Sequence, residues 1–225
     1  MTTQKLLILI PSRNRPASVE RLLKALEETL TTDATVVVCL DADDAWQYRI
    51  STEWHFMIEP RMRLTRWINF ATEAHREGHS HVILLGDDVL PETVGWDQIL
   101  MDSIADVNFG VAYGDDGIQH ENLPTHAVVS LSMFDTLGWI ALPWTKHLYL
   151  DNTWKALAEF TGTLRYSPDV KLTHLHRNLG LSEDDYVYRE ANDSPQAEAD
   201  KLAFYGWYES SDFIEDAQAL AELNQ

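Results

Sequence analysis

The chain has 225 residues, 45% of them hydrophobic and 24% charged, with a formal net charge of −19. That is ordinary globular usage over about one domain's length, with no apolar run near the roughly 20 residues a membrane-spanning helix needs. So large an acid excess argues against a broad nonspecific footprint on nucleic acid, where lysine and arginine must neutralise phosphates, although Arg13, Arg15, Arg61, Arg63 and Arg66 supply material for a local basic stripe. The one cysteine, Cys39, lies inside an apolar run and has no partner for an internal disulfide, which fits a reducing compartment and a cytoplasmic protein.

Along the first 90 residues, short apolar runs alternate with segments of helical period. Leu6–Ile10 is a continuous apolar run closed by Pro11, the pattern of a buried parallel strand. Five apolar residues with no small-residue cleavage site after them predict a strand and not a leader peptide. Pro16 then opens a helix in which Val19, Leu22, Leu23, Leu26 and Leu30 share a face. Val36–Leu40 is the second predicted strand, ending in Asp41-Ala42-Asp43-Asp44, and His55–Ile58 is the third, stopped by Pro60. Leu64, Trp67, Ile68, Ala71 and Ala74 mark a helix that Gly78 terminates, and His81–Leu85 is a strand running into Gly86-Asp87-Asp88. Farther on, Val94–Val107 and Asn152–Phe160 read as helices, and Phe109–Tyr113, Ala127–Leu131, Leu164–Tyr166 and Val170–Leu175 as strands. Ala197–Leu223 reads as one or two amphipathic helices; from Asn178 onward twelve acidic side chains stand against two basic ones, the composition of a solvated face. The expected organisation is a catalytic domain over 1–177 with an acidic helical C-terminal extension, 178–225, packed on it.

Strands alternating with helices imply βαβ crossovers and a mainly parallel α/β sheet flanked by helices. Such sheets bind ligands at the carboxyl ends of their strands, where crossovers change direction. Three predicted strands end in polar or acidic clusters, at 12–15, 41–44 and 86–88, and a parallel arrangement puts all three on one edge.

Two carboxylates at the mouth of a buried strand repel each other unless a cation lies between them. Asp88, with Asp87 beside it, is therefore the candidate for a divalent ion, since hard ions take oxygen ligands and pair with phosphates. Adjacent aspartates recur at 43/44, 115/116 and 184/185, where capping and turns account for such pairs. His174 and His176, two apart in a predicted strand, share a face and offer imidazole to a manganese-like ion, or form an ordinary hydrogen-bonded pair. Asp151 follows the aromatic stretch from Trp144 to Leu150 and opens a helix. It is either that helix's N-cap or a general base within reach of an acceptor hydroxyl, with Asp115 and Asp116 as rivals. Trp96, Trp139, Trp144 and Trp154 gather in the second half; most are expected in the core, with one or two as platforms for sugar rings.

On these residues the chain resembles the family 2 glycosyltransferases and related GT-A enzymes. LLILIPSRNRPASVERLLKAL is similar to their opening strand, loop and helix; Asp41-Ala42-Asp43-Asp44 to their second-strand acidic turn; and VILLGDDVLP to the strand bearing their Asp-x-Asp-like motif. DNTW and LTHLH resemble the base-bearing helix and the metal-ligand histidine, so the likeness covers about residues 5–177. It implies a GT-A (Rossmann-like) fold in which Pro11, Arg13 and Arg15 border the nucleotide, Asp41 or Asp43 bonds the base, and Asp87 lies by the ribose or the metal. Arg63 is grouped with this nucleotide set. Asp88 and His174 or His176 would hold Mn2+ or Mg2+. Gly86 departs from the family, standing where many members carry Asp.

The activity implied is metal-dependent transfer of a sugar from a nucleotide-diphosphate donor, UDP-sugar favoured, to a hydroxyl acceptor, with inversion and Asp151 as base. The acceptor stays open among glycan, protein, small molecule and modified nucleobase. Competing readings are a virus-type enzyme acting on hydroxymethylated DNA bases and a non-catalytic nucleotide-sugar binder. A nucleotidyltransferase would carry a Gly-rich phosphate loop, and PSRNRP has no glycine.

Overall fold

A computed structural model describes residues 5–49, 51–175 and 194–225. Strand β1 (Leu6–Ser12) is buried at every position but Pro11. Its side chains alternate in the manner of any strand. Leu7 and Leu9 join Val37 and Cys39 of β2 (Ala34–Asp41) in one core, while Leu6, Ile8 and Ile10 join Val36, Val38 and Leu40 in another. A core on each face is why both strands read as unbroken apolar runs.

Around this pair lie β3 (His55–Glu59), β4 (His81–Leu84), β5 (Val89–Pro91), β6 (Val111–Asp115), β7 (Val128–Ser130) and β8 (Leu164–His174), in the sheet order β3-β2-β1-β4-β7-β6-β8-β5. The pairs β2–β3, β1–β2, β1–β4 and β6–β8 are parallel, whereas β7 runs antiparallel to both neighbours and β5 to β8. The sheet is thus mainly parallel. From β1 the chain winds outward through β2 to β3, then returns to place β4 on the other side of β1, and that reversal opens a crevice at the carboxyl ends of β1 and β4.

Helices α1 (Pro16–Thr29) and α3 (Trp96–Ser103) cover one face of the sheet; their buried Val19, Leu22, Leu26, Trp96 and Leu100 complete that core. The other face takes α2 (Leu64–His75), α4 (Ser132–Leu137), α5 (Leu150–Thr161), α6 (Ser194–Tyr208) and α7 (Ser211–Leu223). Phe204, Trp207, Phe213, Ala217 and Leu220 of the last two helices enter the same core as Trp139, Trp154 and Leu157. The boundary expected between 177 and 178 falls outside the described residues. Among the described residues no helix is long and apolar enough to cross a membrane.

Some boundaries differ from the sequence reading, for local reasons. The helix expected over Val94–Val107 spans only Trp96–Ser103, because Gly95 sits at φ 78 and tight turns follow Ile104. The two strands expected over 164–175 are one, β8, whose register against β6 jumps from Gly114–Ser167 to Asp115–Lys171 across Pro168 and Asp169. A proline cannot donate to the ladder, so it is carried in an irregularity. Gly114 is required there, since a Cβ would lie 2.5 Å from the Val170 carbonyl oxygen. The short elements β5 and α4 carry too few residues for a period to show.

Candidate active site

The carboxyl ends of β1, β2 and β4, the end of β8 and the start of α5 enclose a cavity of about 410 Å³. The loop after β1 is held to the loop after β2 by ion pairs. Arg13 donates to Asp41 at 2.8 Å and to both oxygens of Asp43 at 2.6 and 2.8 Å, which hold its guanidinium protonated well beyond the ordinary range. Asn14, at φ 56, donates its backbone N–H to Asp44. Asp41 also accepts from the Trp67 indole at 2.8 Å and the Met62 N–H at 3.2 Å, so it is locked against α2.

Asp87 is buried beneath the β1 loop. It accepts from the Ser12 hydroxyl at 2.6 Å and from Arg15 at 3.1 Å, while Tyr48 bonds Ser12 and the Arg15 N–H. Burial pushes the Asp87 carboxyl up to about 6, against the downward pull of Arg15 and Ser12. Its neighbour Asp88 behaves oppositely. Burial alone would raise it too, but His174, whose Nε2 lies 3.5 Å from Oδ2, outweighs that with help from His126 and Arg15 and holds it at about 2. Adjacent in sequence, the two acids differ because one faces the β1 loop and the other faces imidazole. Gly86 makes this packing possible: a Cβ there would lie 2.7 Å from Asp88 Oδ1.

The opposite wall is the loop before α5. Tyr149 takes the N-cap position at φ 69 and contributes no side-chain cap bond, so Asp151 sits inside the first turn and is not the cap. Among the described residues nothing hydrogen-bonds the Asp151 carboxylate. Burial pushes it up to about 7, with His174 pulling down and Asp116 pushing further up. The loop itself is pinned from the C-terminal part of the chain. Asp200 of α6, 1% exposed, accepts the backbone N–H groups of Lys146, His147 and Leu148, each at 2.9 Å, and Phe204 stacks on Tyr149 with ring centroids 5.1 Å apart.

Of the residues expected at a site, Pro11, Arg13, Arg15, Asp41, Arg63, Asp87, Asp88, Asp151 and His174 all line this cavity. Asp43 does not; its side chain is 54% exposed and turned to Arg13. His176 lies outside the described residues. The rival bases are engaged elsewhere: Asp115 binds Lys171 and His120, and Asp116 accepts three backbone N–H groups and the Thr125 hydroxyl. Trp96, Trp139 and Trp154 are buried, with Trp154 also on the cavity wall, and Trp144 is 57% exposed. Sequence reasoning missed Ser12, Tyr48, His126, Tyr149 and Asp200. Only Ser12 stood in a cluster that marked it.

The pair Asp88–His174 combines a carboxylate and an imidazole, a donor set suited to an ion of the manganese type. Among the described residues no three His, Cys, Asp or Glu side chains already form a metal cage.

No family model and no curated protein matches the sequence. Solved structures do. A mannosyltransferase from Pyrobaculum calidifontis, in complex with GDP-Man and Mn2+, aligns with a TM-score of 0.66 and 14% identity over 97% of this chain and 69% of its own. TarS 1-349 of S. aureus, in complex with UDP-GlcNAc, gives 0.62 and 13% over 98% and 71%. Glucosyl-3-phosphoglycerate synthase of Mycobacterium tuberculosis, in complex with Mg2+ and UDP, gives 0.60 and 11% over 90% and 80%. At such identities the likeness is one of fold, and the fold is the GT-A fold.

Proposed function

We propose that this chain is a metal-dependent glycosyltransferase that moves a sugar from a nucleotide-diphosphate donor, UDP-sugar favoured, to a hydroxyl acceptor with inversion. The observation that carries the reading is the cavity itself, which sets arginine-paired carboxylates on one wall and an unpartnered carboxylate, Asp151, on the other. The three similar structures, each of the GT-A fold and holding a nucleotide or nucleotide sugar, support it. The buried Cys39 agrees with work in the cytoplasm.

Asp41, fixed by Arg13, Trp67 and the Met62 N–H, keeps lone pairs for the base, since each carboxylate oxygen accepts more than one bond. Arg15, with Asp87 beneath it, borders the phosphates. Asp88 and His174 would hold Mn2+ or Mg2+, which supplies charge stabilisation for the leaving diphosphate. Asp151 takes the proton of the acceptor hydroxyl as that oxygen bonds the anomeric carbon. The bond from that carbon to the donor phosphate breaks, and its electron pair leaves with the nucleoside diphosphate.

The test is calorimetry with UDP and GDP, with and without Mn2+, on the parent and Asp88→Ala. Tighter nucleotide binding with Mn2+ in the parent, lost in the variant, is the expected result; equal affinity in all four arms overturns the metal-dependent reading.

A further inference from the structure

His126 lies beside the site and has no role in the mechanism above. It precedes β7, held at φ 50 in the left-handed region, and its ring meets that of His174 edge to face with centroids 5.0 Å apart. It lines the cavity, yet its Nε2 is buried with no hydrogen-bond partner. The ring is held instead through its other nitrogen, against the Leu84 carbonyl. A carbonyl can only accept, so Nδ1 carries the proton and Nε2 presents a bare lone pair.

That arrangement is the one metal-ligating imidazoles adopt, one ring N–H given to a carbonyl and the other nitrogen kept for the ion. A buried lone pair without a donor is otherwise costly, about 1–3 kcal/mol for an unsatisfied group. The space beside it is specific as well. A Cβ at position 86 would lie 2.7 Å from Asp88 Oδ1 and 3.8 Å from His126 Cε1, so glycine leaves this carboxylate and this imidazole on either side of one small gap. Only side-chain rotation separates Asp88, His126 and His174 from a shared ion.

We infer that His126 is a third protein ligand for the divalent ion, completing a set of two imidazoles and one carboxylate; the inference rests on the metal-dependent reading proposed above. Such a set favours Mn2+ or Co2+ over Mg2+, because imidazole suits later transition ions and carboxylate alone suits magnesium.

The experiment uses the full chain without nucleotide. Free Mn2+ is followed by electron paramagnetic resonance, and Co2+ by its visible absorption, for the parent, His126→Ala and Asp88→Ala. His126→Gln replaces the alanine variant if that one fails to melt cooperatively. Removing His126 should weaken Mn2+ and Co2+ at least about tenfold, the scale at which even outer partners of ligands act, and should leave Mg2+ much less affected. Unchanged Mn2+ and Co2+ affinity after loss of His126, with binding abolished in Asp88→Ala, overturns this inference and leaves the two-ligand reading standing. Unchanged affinity in Asp88→Ala overturns both.

Discussion

The two walls of the cavity treat buried carboxylates in opposite ways. On the β1–β2–β4 wall, Asp41 and Asp87 each receive an arginine and at least one further donor, and Asp88 receives an imidazole. On the α5 wall, Asp151 receives no hydrogen bond from a described residue, and burial lifts it to about 7. A paired carboxylate is a fixed charge that positions what binds beside it. An unpaired, buried one exchanges its proton near neutral pH, which is what a general base must do.

The sharpest way to break this contrast is Asp151→Asn. Because Asp151 is not the helix cap, α5 should fold unchanged, nucleotide affinity by calorimetry should stay at the parent value, and transfer should fall by about 10²–10⁴-fold. Parent turnover should also rise as pH passes through about 7, since the base acts ionised; His174 and Asp116 are the charges that face it. Stability runs the other way. The folded value lies above the ordinary 3.8, so ionisation costs stability as pH climbs from there to about 7. Asp151→Asn should therefore melt above the parent at pH 8 and level with it at pH 4. Normal turnover in the variant would make Asp151 one more buried acid and erase the difference between the walls.

Asp200→Ala tests whether the α5 wall owes its shape to α6. Three backbone N–H groups lose their acceptor, and the loss in denaturant-measured stability should be about 3 kcal/mol, or roughly a hundredfold in the folding constant. A loss below about 0.5 kcal/mol would show the loop standing unaided.

The β1–β2 wall is sharpened by two smaller changes, read as UDP and GDP affinity. Asp41→Asn removes a charge on the cavity wall that fixes Arg13 and should weaken nucleotide about tenfold, the worth of one charge-assisted hydrogen bond. Asp43→Asn, off the cavity and exposed, should change affinity less than about threefold, the scale of a surface ion pair. Equal effects would place Asp43 in the site after all.

Much of the β1–β2–β4 wall was legible because its signals are local. An apolar strand ending at once in polar residues fixes the strand and the edge its cluster occupies, and 6–15, 36–44 and 81–88 all have that form. The choice between Asp41 and Asp43 was not local: it depends on Trp67 and Met62, which α2 brings up from 21 residues and more away. Asp151 was legible as an acid at a helix start, but its raised pKa depends on burial by the whole wall. His126 had no signal, a single histidine before an apolar run, until folding set it against His174 and Gly86. Pro168 hid the continuity of β8, since a break in pattern and a bulge look alike in one chain.

Asp200 follows Lys146 by 54 residues, and this separation bears on how the molecule is made. A nascent chain leaves the ribosome from its N-terminus, so β1 to β4, whose pairing spans less than 90 residues, can assemble while the rest is still being translated. The α5 wall cannot be fastened until α6 has emerged. Synthesis therefore delivers the fixed charges of the pocket first and clamps the proton-accepting wall near its end, and a message cut short before codon 200 would yield a chain with every strand in place and one side of its cavity unlatched.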